Sequence, residues 1–234
     1  MGEEKILVVD DDKEIVKAIE KLLMLEGYTI VKAYDGLEAM DALMKNTIHL
    51  ILLDIMMPKL DGLSATMKIR EQKNIPIILL SAKSEDSDKI LGLSMGADDY
   101  ITKPFNPQEL LARVKSQLRR YLLLGDVDNS RKKTNLITNG GLSLDTDAMH
   151  LTIDGEAVKL TATEYRILEL LMKNAGIVFA AEKIYERVWN EPAYSVENTV
   201  MVHIRRIREK IEINPKEPNY LKVVWGIGYK MEKI

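Results

Sequence analysis

The chain has 234 residues, 46% apolar and 29% charged, with a net charge of −3, which suits a soluble protein of one large domain or two ordinary ones. The absence of cysteine excludes disulfides, thiolate zinc sites and cysteine nucleophiles. Only four consecutive apolar residues, Ile6 to Val9, precede Asp10, and the longest apolar stretch, Ile48 to Met57, is short and contains His49 and Asp54. Neither a signal peptide nor a membrane span is therefore expected, and the expected location is cytoplasmic.

In chain order, short runs rich in Ile, Leu and Val predict strands at Ile6–Val9, Thr29–Ala33, Leu50–Leu53, Ile77–Leu80 and Tyr100–Ile101. Unbroken apolar runs of this length suit strands buried on both faces of a parallel sheet. Helical periodicity lies between them: Ile15, Ile19, Leu22 and Leu23 after Asp12, then Leu37, Met40 and Leu43 after Asp35-Gly36. Pro107 opens another helix, with Leu110, Leu111, Val114 and Leu118 on its inner face. The alternation predicts an α/β domain built on five parallel strands.

Chemistry-bearing residues follow the strands. Asp10 and Asp11 end the first, Asp54 the third and Ser81 the fourth, and Lys103 follows the fifth. The carboxyl ends of parallel strands form one rim, where ligands bind, so these residues are expected to meet. Three carboxylates, a hydroxyl and an ammonium make a hard-oxygen cation site, suited to Mg²⁺, next to a site for phosphoryl oxygens. The cation would relieve the repulsion between Asp10 and Asp11. Taken singly, each piece has a plainer use as a turn or helix cap, and Asp12 is placed to cap the helix that begins at Lys13.

The segments "VVDDD", "LILLDIMMPKLDG", "PIILLSAK" and "GADDYITKPF" resemble the signatures of the receiver domain of bacterial two-component response regulators, over residues 4 to about 121. That resemblance implies a CheY-like, flavodoxin-like fold in which Asp54 accepts a phosphoryl group from a membrane sensor histidine kinase. It implies that Asp11 and Asp54 ligate Mg²⁺ directly, with Asp10 acting through water and the Met56 carbonyl adding a ligand. Ser81 and Tyr100 would be the switch pair, Lys103 would pair with the phosphoryl oxygen, and Lys103-Pro104 would be cis. A hydroxyl such as Ser81 that moves toward new phosphoryl oxygens leaves a void, which an aromatic such as Tyr100 can fill. In the OmpR/PhoB type of regulator, the matching positions form a symmetric dimer face. It would pair Lys89 with Glu109, Asp99 with Arg113 and Asp98 with Arg120, around Ile90, Leu93 and Ala112. The competing reading of these residues is an ordinary solvated face.

The second half differs. "GDVDNSRKKTN", Gly125 to Asn135, reads as linker, giving a receiver at 1–121, a flexible linker at 122–135 and an effector domain at 136–234. "LSLDTDAMHLTIDGEAVKLT" alternates and contains the Asp154-Gly155 turn, predicting short antiparallel strands. Three helices follow: Thr161–Lys173, opened by a capping box from Thr161 to Glu164, then Ala181–Trp189 and Val196–Ile211. "LKVVWGIGYKM" predicts a hairpin. At about 100° per residue, Val200, Ile204, Ile207 and Ile211 share a narrow arc that must face the core. The opposite side holds Asn198, Val202, Arg205, Arg206 and Glu209, flanked by Thr199, Met201, His203 and Arg208. Arginines, an amide and an exposed valine suit a DNA major groove. A solvated helix with pairs such as Arg205–Glu209 explains the same composition. Net charge does not decide, because residues 136–234 carry 13 Lys and Arg against 14 Asp and Glu.

"LTATEYRILELLMKNAG", "NTVMVHIRRIREKI" and "VVWGIGYKM" resemble the winged helix-turn-helix effector domain of OmpR/PhoB regulators. The resemblance implies that the third helix enters the major groove of promoter DNA, that the hairpin reaches a minor groove, and that tandem copies bind direct repeats. By position, Asn198, Met201, Val202 and Arg206 would face bases, while Thr199, His203 and Arg205 would hold phosphates; Arg208, Trp225 and Tyr229 complete the expected DNA face. Trp225 stands where the family's hairpin usually has arginine. The Trp-Gly-x-Gly-Tyr-Lys ending, with "LDIMMP" and "LRRY", is closer to regulators of inducible glycopeptide (vancomycin) resistance, which implies cell-wall genes as targets. Two other classes compete: an aspartyl phosphotransfer enzyme, and an adaptor whose third helix binds RNA polymerase or another protein. The enzyme is disfavoured because Asp54 is followed by Ile55 and Met56, which supply no general acid.

Overall fold

The structure is a computed structural model that describes residues 4–82, 86–125, 136–190, 193 and 197–234. The chain divides into two compact units, Met1–Leu122 and Leu123–Ile234. Of the expected linker at 122–135, residues 122–125 belong to the last helix of the first half, and 126–135 lie outside the described residues.

The first unit contains β1 (Lys5–Val9), α1 (Lys13–Met24), β2 (Thr29–Ala33), α2 (Gly36–Lys45), β3 (Leu50–Asp54), α3 (Gly62–Gln72), β4 (Ile77–Ser81), α4 (Asp86–Ser94), β5 (Asp99–Thr102) and α5 (Pro107–Gly125). The strands form one parallel sheet in the order β2-β1-β3-β4-β5. Ile6, Val8, Leu50, Leu52, Ile78, Leu80 and Ile101 pack with Val16, Ile19 and Leu23 of α1 and Leu110, Val114 and Leu118 of α5. The alternate residues Leu7, Val9, Ile51, Leu53, Ile77 and Leu79 are equally buried, so both faces of the sheet are covered. That double burial is why the strands read as continuous apolar runs. Carboxylates start the helices: Asp12 accepts from the Glu14 and Ile15 amides, Asp35 from Glu38 and Asp61 from Ser64. Sequence periodicity did not reveal α3, whose buried side is small and partly polar: Ala65, Thr66 and Ile69.

The second unit opens with a four-stranded antiparallel sheet of β6 (Leu136–Asn139), β7 (Leu142–Asp145), β8 (His150–Ile153) and β9 (Glu156–Val158). Then come α6 (Ala162–Lys173), β10 (Val178–Phe179), α7 (Ala181–Trp189), α8 (Glu197–Ile211), β11 (Leu221–Val224) and β12 (Gly228–Met231). Thr161 caps α6 and Glu164 returns the bond, the predicted capping box. The predicted arc of Val200, Ile204, Ile207 and Ile211 is buried in a single core with Leu168, Leu171, Ile184, Trp189, Leu221 and Met231. β10, with only two residues and therefore no alternating pattern, joins the β11–β12 hairpin as a third strand.

Candidate functional site

Parallel registration brings the strand ends together. Asp54 lies opposite Leu80 and Ser81 opposite Thr102, and the Lys103 amide donates to the Ser81 carbonyl at 2.7 Å. Side chains from residues 93 positions apart then meet: Lys103 Nζ donates to Asp10 Oδ2 at 2.6 Å and to Asp54 Oδ1 at 2.6 Å. Asp10 is fully buried, Asp54 is 3% exposed and Asp11 faces outward. Asp10 Oδ1 accepts from the Asp12 amide at 3.0 Å, which fixes the plane of its carboxylate. Lys103-Pro104 is cis, as expected.

Electrostatics follow from that burial. Loss of water raises the Asp54 carboxyl above its ordinary value, Lys103 pulls it back in part, and Asp10 adds to the rise. For Lys103, burial works to lower the ammonium, but the two carboxylates outweigh it and hold the group above the ordinary lysine value. The lysine therefore stays charged and occupies one oxygen of each buried acid.

One oxygen each from Asp10, Asp11 and Asp54 lie within 4.8 Å of one another. Three hard carboxylate donors at that spacing, open to water on the Asp11 side, fit a partly hydrated divalent cation such as Mg²⁺. Met56, expected to lend its carbonyl, follows Asp54 by two residues, and its side chain is exposed. Gly62 lets the α3 start approach closely: a Cβ there would lie 2.1 Å from the Asp54 carbonyl oxygen. Ser81 is fully buried at the end of β4. Tyr100 is buried at 8% exposure, beside Gly92 of α4.

The expected dimer face is corrected in part. Asp98 is not on the surface: it is 1% exposed, takes Arg70 Nη2 at 2.6 Å and accepts from the Ile77 amide. Asp99 is also buried, and Arg113 bridges it and Glu109 within the same chain, at 3.0 and 2.9 Å. Leu93 is core, at 1% exposure. Lys89 and Ile90 are half-buried and Ala112 is exposed, while the Arg120 side chain lies outside the described residues. The acids next to an edge strand had partners within their own fold, which a linear pattern does not reveal.

The DNA face is also corrected. Arg205 and Met201 are exposed, and Asn198 and Thr199 are half-buried. Val202, His203 and Arg206, expected to face DNA, are buried. His203 lies against Trp189, with ring centroids 5.5 Å apart, and Trp189 stacks on Tyr185. Arg206 Nη2 reaches Glu164 Oε1 at 2.9 Å, and Lys210 Nζ reaches Glu164 Oε2 at 2.6 Å. Glu164 is fully buried; burial would raise its carboxyl, but Arg206 and Lys210 hold it below the ordinary glutamate value. The physical reason is that α8 packs on both α6 and α7. Its buried arc is thus wider than its aliphatic residues indicate, and a long arginine at the edge folds back to a buried acid. Sequence reasoning saw Glu164 only as half of a capping box, and nothing in the sequence pointed to its partners 42 and 46 positions away.

Arg208 is half-buried, and its Nε donates to the Leu221 carbonyl at 2.8 Å. Tyr229 is half-buried against the core, so neither residue lies openly on the expected face. Trp225 does, at 87% exposure. Among the described residues no helix is long and apolar enough to cross a membrane.

Comparison with known proteins agrees with both units. Residues 6–115 match the family described as response regulator receiver domain, and residues 155–231 match transcriptional regulatory protein, C terminal. The chain is 43% identical to the regulatory protein VanR of Enterococcus faecium over 231 residues, 98% of this chain and 99% of that protein. It is likewise 43% identical to VanRc of Enterococcus gallinarum over 230 residues, 98% of this chain and 99% of that one. The crystal structure of the response regulator DrrB, an OmpR/PhoB homologue from Thermotoga maritima, is similar at 34% identity and a TM-score of 0.52, covering 99% of this chain and all of that one.

Proposed function

Because the chain belongs to the response regulators that join a receiver domain to a transcriptional regulatory C-terminal domain, we propose that its DNA binding is switched by phosphorylation of Asp54. The observation that carries this reading is the buried Asp10–Lys103–Asp54 bridge at the carboxyl ends of β1, β3 and β5. Asp54 is nucleophile: a carboxylate oxygen attacks the phosphorus of a phosphohistidine on a membrane sensor kinase. The P–N bond breaks, a P–O bond forms, and the imidazole leaves. Lys103, held charged, moves from carboxylate oxygen to phosphoryl oxygen without leaving the pocket. Ser81, buried at the end of β4, supplies a hydroxyl donor to another phosphoryl oxygen.

Asp10, Asp11, Asp54 and the Met56 carbonyl would hold Mg²⁺, which when bound neutralises charge on the phosphoryl oxygens. Acyl phosphate adds roughly one further negative charge beside Ser81, next to β5. Tyr100 and the Arg113 bridge lie on β5 and α5, so the change reaches the α4–β5–α5 surface. There Glu109, paired with Arg113 within the chain, would exchange to Lys89 of a second copy, while Asp99 stays buried on its own Arg113. Each exchanged rim pair is worth only about 0.2–1 kcal/mol, so a modest input tips association. The dimer would place two effector domains on direct repeats in promoter DNA, within reach of RNA polymerase, in the cytoplasm. Similarity to VanR supports cell-wall and glycopeptide-resistance genes as targets. The protein acts as a regulator and not as an enzyme, since Ile55 and Met56 bring no acid to hydrolyse the acyl phosphate.

The test is intact-mass spectrometry after incubation with acetyl phosphate and Mg²⁺. One phosphate should be gained by the native chain and none by Asp54→Asn. Equal labelling of the two would place the acceptor elsewhere and end this reading of the pocket.

A further inference from the structure

The β11–β12 hairpin has two chemically different faces. Leu221 pairs with Met231 and Val223 with Tyr229 on one; Lys222 pairs with Lys230 on the other. The first face is anchored: Leu221 and Met231 are fully buried. Toward the tip the same apolar character continues into solvent, with Val223 37%, Trp225 87% and Ile227 62% exposed. The turn is made tight by Gly226, at φ +72°, with nothing within 4 Å of the position a Cβ would take. The other tryptophan, Trp189, is fully buried in the domain core, so Trp225 is not spare core material. A contiguous exposed apolar tip of this kind marks a contact site.

Two observations indicate what covers it. Facing lysines across an antiparallel pair repel. Lys230 is satisfied by Glu232 at 2.9 Å, which leaves the hairpin flank cationic at Lys222. The hairpin is also fastened to α8, because Arg208 Nε donates to the Leu221 carbonyl at 2.8 Å. The tip therefore sits at a fixed offset from the exposed Met201 and Arg205 of that helix. A polyanion on the helix face would meet the tip too. The tip itself carries no charged side chain between Val224 and Gly228, so it can gain little from phosphates. What it offers is the exposed Trp225 ring, with the exposed Ile227 two residues on.

We propose that the hairpin tip is an apolar wedge: Trp225, with Ile227 two residues on, enters duplex DNA at a base step beside the groove occupied by α8, unstacks that step and bends the duplex. Apolar wedges of this kind kink DNA toward the major groove, and flexible pyrimidine–purine steps yield most easily. The site read by this protein therefore contains a TA or CA/TG step at the tip position, recognised by its deformability and not by hydrogen bonds. Arg208 is a positioning residue that sets the distance from the helix to that step. The inference rests on the DNA-binding reading of the C-terminal domain.

The experiment uses the phosphorylated full chain and a duplex enriched by that chain from a random-sequence pool. Three signals are recorded: anisotropy of the labelled duplex, end-to-end energy transfer across it, and tryptophan emission. The difference between the native chain and Trp225→Phe isolates Trp225 from Trp189, whose emission reports that the variants are folded. Trp225 emission should fall about two-fold on saturation, the duplex ends should approach, and Trp225→Ala should abolish the bend and weaken binding roughly five- to 150-fold, the range of one base–aromatic stack. Trp225→Leu should keep part of the bend, and Trp225→Arg should lose it while the salt dependence steepens. Replacing the TA or CA/TG step by a stiff A-tract should cost the native chain more than Trp225→Ala. Binding by anisotropy without a change in Trp225 emission or in bending would overturn the wedge and leave the DNA-binding reading standing. Trp225 emission that changes on self-association without DNA would assign the tip to a protein contact and overturn it as well. Failure to enrich any duplex would overturn both.

Discussion

Truncating Arg206 separates an arginine that reads bases from one that holds the domain together. Glu164 is fully buried; its Oε2 accepts from the Thr161 amide at 2.9 Å and Lys210 at 2.6 Å, and its Oε1 forms an ion pair with Arg206 at 2.9 Å. Arg206→Ala removes one of the two cations that compensate this carboxylate. Breaking a buried ion pair from one side typically costs about 3–5 kcal/mol. Here Lys210 stays in place and its side chain is 32% exposed, so water can follow it in; the expected loss is about 2–3 kcal/mol, below the full figure. The sign of the pH dependence is set by Glu164, which is held below the ordinary value of 4.5. A depressed acid contributes stability that is present above its unfolded value and lost as pH falls through the folded one. The penalty of Arg206→Ala should therefore be full at neutral pH and shrink in acid. Urea unfolding of the full chain, followed by Trp189 emission with Trp225→Phe in both proteins, measures it at constant slope. A change under about 0.5 kcal/mol, the range of ordinary surface substitutions, would show that Arg206 is free for DNA and refute the clamp.

Three further outcomes are expected. Lys103→Met leaves Asp10 and Asp54 buried without their shared cation; thermal melts should show a stability loss of about 3 kcal/mol, partly recovered by Mg²⁺, and the absence of recovery would count against the cation site. Gly62→Ala drives a Cβ to 2.1 Å from the Asp54 carbonyl oxygen. It should cost about 3 kcal/mol, the upper end of overpacking, in the same unfolding assay, whereas a neutral result would refute the close approach. Arg205→Ala removes an exposed cation from α8, with 73% of its side chain accessible. It should weaken all duplexes alike and lower the slope of log K against log salt by about one unit, while a sequence-selective loss in a binding titration would reassign Arg205 to a base.

Local pattern carried much of what could be known in advance. Apolar runs of strand length, each ending in a chemically loaded residue, were enough to foresee the parallel sheet and the meeting of Asp10, Asp54 and Lys103, because parallel strands share one carboxyl edge. The aliphatic arc of α8 and the capping box of α6 were legible for the same reason: both are set by near neighbours in the chain. The helix α3 was not, because its buried face of Ala65, Thr66 and Ile69 holds a single large apolar side chain and so carries little periodic signal.

Partner choice among charges belonged to the tertiary structure. Asp98 turned inward to Arg70, Arg113 spanned Asp99 and Glu109, and Arg206 folded onto Glu164. Sequence spacing ranks which side chains share a helix face, but an arginine is long enough to leave the face on which its Cα sits. Whether it does so depends on a buried acid brought close by packing from many residues away. The sequence alone determined the fold class, the rim that gathers the acids and lysine, and the apolar stripe of α8. Only the tertiary structure decided which cations remain free for an external partner, because burial makes an unpaired carboxylate costly and the nearest available cation is drawn in to compensate it.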